Sequence, residues 1–98
     1  MDLKEQILYI IKSATGVEAT TDTILRDLPM DSLDFVELAC ILEKKYDFKA
    51  SPKQWDTLWY QNGHTVSDLI EFVNSNLNKP NPIATIHTII IILKLTYK

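Results

Sequence analysis

Cysteine is almost missing from this 98-residue chain, where Cys40 stands alone. One thiol excludes an internal disulfide. With two isolated histidines, His64 and His87, no cluster of metal ligands is written, and no metal is expected. Long apolar runs are lacking too. The most apolar stretch, Ile83 to Lys98, is interrupted by His87 and Lys94 and is shorter than the roughly 20 residues that span a bilayer. No membrane span is expected. The N-terminus, Met1-Asp2-Leu3-Lys4-Glu5, lacks the basic-then-apolar order of a secretion signal, which points to a cytoplasmic protein. There is no internal repeat.

Clustered basic residues are also absent from the first half. Residues 1–40 hold eight acids against three bases, a net of −5, whereas residues 41–98 hold five acids and seven lysines, a net of +2. Nucleic-acid phosphates need grouped Lys and Arg, so this polarity argues against a nucleic-acid partner and favours a basic protein surface. The length fits one domain, and 46% apolar residues suffice for a core.

What is present reads as helix. Asp2 with Glu5 forms a variant capping box, and Leu3, Ile7, Ile10, Ile11 and Ala14 make one apolar stripe that Gly16 ends. From Val17 to Met30 the period is lost, and Ile24, Leu25 and Leu28 are expected to pin this loop to the core. A second helix runs from Asp31-Ser32 to about Tyr46 and carries two apolar faces. Phe35, Leu38, Ala39, Leu42 and Tyr46 lie on one side; Leu33, Val36 and Cys40 lie opposite, beside Glu37, Glu43 and Lys44. Only one face of a helix in a small bundle meets the core, so the second is a candidate docking surface. Pro52, Trp55, Leu58, Trp59 and Tyr60 predict a short helix closed by Asn62-Gly63. Thr65 caps the last helix with Asp68 at the box position, and Val66, Leu69, Ile70, Val73 and Leu77 form its stripe. The expected fold is all-α, an up-and-down bundle of three main helices plus one short helix over residues 1–79. An apolar extension follows over residues 80–98, where the isoleucines favour a strand and the spacing also fits a helix.

The run Asp31-Ser32-Leu33-Asp34, opening an amphipathic helix after Leu25-Arg26-Asp27-Leu28-Pro29-Met30, resembles the Asp-Ser-Leu signature of acyl carrier proteins. The resemblance covers Leu3 to Leu77 and takes in the helix order, the long first loop, Glu37-Leu38 and Thr65-Val66. It implies a carrier rather than an enzyme. Ser32 would bear a covalent 4′-phosphopantetheine arm, added from coenzyme A by a phosphopantetheinyl transferase, with Asp31 helping to hold that enzyme's magnesium ion. It implies docking of acyl-transferring, condensing or ligase enzymes on Leu33, Val36, Glu37, Cys40 and Glu43. It also implies an acyl-chain cavity near Phe35, Leu38, Leu42, Val66 and Ile70. The service implied is fatty-acid, lipid or polyketide-type biosynthesis. The modest net charge of −3, Lys44, Lys45, Lys49 and Lys53, and the long Ser51–Thr65 stretch depart from the fatty-acid pattern. They keep a specialised aminoacyl or peptidyl carrier open as an alternative.

Blander readings stand beside these. Ser32 is also a good helix cap, Cys40 a small hydrophobe, His64 a loop residue, and Trp55 with Trp59 a core pair. An unmodified docking module of the same shape is a second alternative. A Ser32–His64 hydrolase is a third, although neither an oxyanion-hole loop nor a nucleophile elbow is written.

Overall fold

The computed structural model describes residues 1–78. Four α-helices follow one another, α1 Leu3–Thr15, α2 Ser32–Tyr46, α3 Pro52–Tyr60 and α4 Val66–Asn78, with one 3₁₀ turn at Leu25–Asp27. Among the described residues the fold is all-helical, as expected, and only an isolated bridge between Ile24 and Thr65 has β character. The alternatives for residues 80–98 lie outside the described residues.

Each helix begins where its first turn is capped. Asp2 accepts the Glu5 N–H at 2.8 Å, and Ser51 pairs reciprocally with Gln54 ahead of Pro52. At α1's end Gly16 takes φ 77°, a left-handed conformation that a side chain would disfavour, and its N–H closes on the Lys12 carbonyl. At α4, Thr65 Oγ1 lies 3.3 Å from the Asp68 N–H, while Asp68 Oδ2 accepts the Thr65 N–H at 2.9 Å. That bond, with His64 nearby, holds the Asp68 carboxyl below its ordinary range. A depressed carboxylate stabilises the fold above its unfolded pKa, so the cap is intact at neutral pH and fails only in acid.

The core joins all four helices. Ile7 and Ile11 of α1, Leu38 and Leu42 of α2, Leu58 of α3, and Val66, Leu69 and Val73 of α4 are buried, together with Leu25 and Leu28 from the first loop. Burial of each such side chain contributes roughly 1.5–3 kcal/mol. α1 packs on α4, and α2 packs on both α3 and α4. The first loop is held by backbone bonds as well. Leu25 N–H donates to the His64 carbonyl, and the Val66 and Ser67 N–H groups donate to Thr23 and Thr21, all at 2.9 Å. Loop carbonyls thereby satisfy two of the donors that any helix start leaves over.

The stripes predicted from periodicity run too far at their ends. Ala14 and Leu77 are exposed, Tyr46 is half-buried, and Ile24 is exposed while its neighbour Leu25 is sealed. Terminal turns project past the neighbouring helix, and a 3.6-residue period cannot register where that neighbour stops.

Candidate functional site

α2 supplies the site, and its start divides two tasks between adjacent residues. Asp31 is the last extended residue, with φ −96° and ψ −175°, and its Oδ1 accepts the Asp34 N–H at 2.9 Å. Asp34 Oδ2 in return accepts the Asp31 N–H at 3.0 Å. The cap is therefore Asp31. Ser32, the cap in the blander reading, is already helical and stands exposed at the first position. Its N–H and that of Leu33 have no acceptor within the helix, because first-turn donors lack a preceding carbonyl. An exposed hydroxyl, free N–H donors and the positive end of the helix dipole suit a phosphodiester.

Leu33 and Val36 are 74% and 55% exposed, and Glu37 and Cys40 are exposed with them. This outward face is acidic near Ser32, where Asp27, Asp31, Asp34 and Glu37 are all exposed. It turns basic at the far end, where Lys44, Lys45, Lys49 and Lys53 are exposed. Glu43 differs from its companions. It is half-buried, and its Oε2 accepts the Ala50 N–H at 2.9 Å and the Trp55 Nε1–H at 3.3 Å. One carboxylate thus ties α2 to the second loop and to α3.

A groove of about 250 Å³ lies between α2 and α3. Ser32, Val36, Cys40 and Glu43 line its α2 side, and Trp55, Trp59 and Tyr60 its α3 side, over a floor that includes Phe35, Ala39 and Ala50. The aromatic residues brace one another. Phe35 stacks on Trp59 with centroids 4.9 Å apart and meets Trp55 edge-on at 6.1 Å. Arg26 lies 4.9 Å over the Trp59 ring and donates from Nη1 to its carbonyl at 3.2 Å.

The resemblance implies a cavity near five named residues, and this groove shares one of them. Of Phe35, Leu38, Leu42, Val66 and Ile70, only Phe35 lines the groove. Leu38, Leu42 and Val66 are sealed in the core at 1%, 0% and 0% exposure. Periodicity identifies which side chains face inward, but a gap is left where small ones line the space, here Ala39 and Ala50. The α3 wall is the part that residue-by-residue reading missed. Its signal was Trp55-x-x-x-Trp59-Tyr60, which also reads as ordinary core.

His64 is half-buried, with Nδ1 3.3 Å from Asp68 Oδ2 and Nε2 3.4 Å from Gln61 Oε1. It belongs to the α4 cap, and among the described residues no hydrogen bond joins it to Ser32. Among the described residues, no group of three His, Cys, Asp or Glu side chains could hold a metal ion. No helix there is long and apolar enough to cross a membrane.

The family described as the phosphopantetheine attachment site matches residues 5–73. An acyl carrier protein of Chlamydia felis is 33% identical over 79 residues, which is 76% of this chain and 95% of the relative. The chain belongs to the acyl carrier protein family. Similar acyl carrier proteins come from Chlamydia caviae, 32% identical over 76% of this chain and 96% of the relative, and from Coprothermobacter proteolyticus, 32% identical over 74% and 88%. The protein is accordingly a carrier and not an enzyme, and its cofactor is covalent 4′-phosphopantetheine.

Proposed function

We propose that Ser32 is the attachment residue of this acyl carrier, within a carrier domain spanning residues 1–79 and followed by an extension over 80–98. The observation that carries the assignment is the division at α2. Asp31 does the capping, which leaves the Ser32 hydroxyl exposed at a helix N-terminus with free N–H donors beside it. When bound, the arm supplies a thiol that holds an acyl group as a thioester. The chain's own residues anchor it, present it and identify it to partners. Asp31 Oδ1 accepts the cap bond, so Oδ2 is the oxygen available to the transferase's magnesium ion.

Partner enzymes dock on Leu33, Val36, Glu37 and Cys40, with Glu43 at the edge of that surface. These enzymes are the phosphopantetheinyl transferase and acyl-transferring, condensing or ligase enzymes of fatty-acid, lipid or polyketide-type biosynthesis, in the cytoplasm. The exposed acids around Ser32 favour partners with basic surfaces there.

The test is intact mass after incubation with coenzyme A and a phosphopantetheinyl transferase. The parent chain should gain one arm, and Ser32→Ala should gain none while keeping its helical circular dichroism. An alanine variant that still gains the arm moves the site elsewhere.

A further inference from the structure

The groove opens at Ser32 and follows α2 through Val36 and Cys40 to Glu43. The eleven residue-to-residue steps from Ser32 to Glu43 correspond to roughly 16 Å of helix. At the far end apolar lining gives way to charge, with Glu43 and Lys49 both at the wall. Glu43 is immobilised there by its bonds to Ala50 and Trp55. Inward extension is closed as well, since Leu38 and Leu42 behind the floor are 1% and 0% exposed. A cavity of roughly 150 Å³ is filled by a single benzene ring. The groove, at about 250 Å³, has room for one ring and its linkage and not for a long polymethylene chain. Phe35, Trp55 and Trp59 give it an aromatic lining, against which flat groups pack well.

From this size and lining we propose that the α2–α3 groove shelters a compact apolar acyl group, of about one aromatic ring's bulk, and leaves long fatty chains outside. The inference rests on Ser32 being the attachment residue. Trp55 and Trp59 bound the groove on one side and the Glu43–Lys49 end limits its length.

Both tryptophans of the chain line the groove, so tryptophan emission, excited apart from tyrosine, reports from it. The apo chain is loaded by a phosphopantetheinyl transferase from benzoyl-, hexanoyl- or hexadecanoyl-coenzyme A, and intact mass establishes each product. Hydroxylamine cleavage of each thioester is then compared with the same acyl group on free pantetheine. Benzoyl and hexanoyl groups should shift tryptophan emission and be cleaved about tenfold more slowly on the protein, and hexadecanoyl less than about twofold, because only the compact groups leave water. Asp56→Phe, which fills the groove from an exposed position of the α3 wall outside the docking face, should load normally and lose the benzoyl protection. Hexadecanoyl protection equal to that of benzoyl overturns the proposal, as does protection that survives Asp56→Phe. Loading without protection of any group overturns the groove inference alone. A chain that gains no arm overturns the Ser32 assignment, and this inference falls with it.

Discussion

The Ser32 hydroxyl stands one residue inside α2, and Asp31 closes the helix end in its place. With Ser32 as the proposed attachment residue, its chemistry would be separated from stability of the helix. Had Ser32 been the cap, its replacement by alanine would cost about 0.5–2 kcal/mol; with Asp31 in that position, Ser32→Ala should leave stability nearly unchanged while removing the proposed attachment point. Glu43 shows the reverse case, a residue resembling a docking position that the fold employs for itself. Removing its carboxylate leaves two donors, the Ala50 N–H and the Trp55 indole N–H, without an acceptor. Glu43→Ala should lower stability by about 1–3 kcal/mol. Glu43→Gln keeps an acceptor oxygen and should cost less than about 1 kcal/mol. Urea denaturation followed by tryptophan emission measures both. Equal, negligible losses would mean that the clamp contributes nothing.

α2 has two apolar faces and one neighbour-facing side. Phe35, Leu38, Ala39 and Leu42 are buried, whereas Leu33, Val36 and Cys40 remain in contact with water. A substitution on the second face should consequently separate docking from folding. Val36→Asp is expected to change stability by less than about 1 kcal/mol, in the range of surface changes. It should slow arm transfer by about tenfold or more, equivalent to about 1.4 kcal/mol of docking energy. Circular dichroism checks the fold and a time course of mass gain checks the transfer. An unfolded Val36→Asp chain would show that this face is core.

At the scale of the whole molecule, the buried set from Ile7 to Val73 closes around all four helices within residues 1–78. The family match likewise ends at residue 73. A chain cut after Lys79 should therefore fold and accept the arm as the full chain does. Thermal denaturation and intact mass test this together, and a cut chain that fails to fold would refute the boundary at residue 79. Size-exclusion chromatography of the two lengths shows in addition whether residues 80–98 promote self-association, which an apolar β-branched run is chemically able to do.

Local information was enough for the helices, because caps such as Asp2 and Thr65 and stripes such as Val66-Leu69-Val73 act over one to three turns. It was also enough to single out Ser32, whose neighbours Asp31, Leu33 and Asp34 are contiguous in the chain. Which residue caps α2 was decided by backbone torsions, since Asp31 is extended and Ser32 helical. The groove was decided by tertiary packing. Ala39 and Ala50 both line it where larger side chains would take up space, and Arg26 and Glu43 hold the tryptophans of α3 from two different segments. No periodicity within one helix encodes a gap between two, so the volume beside Ser32 became visible only once α3 was set against α2.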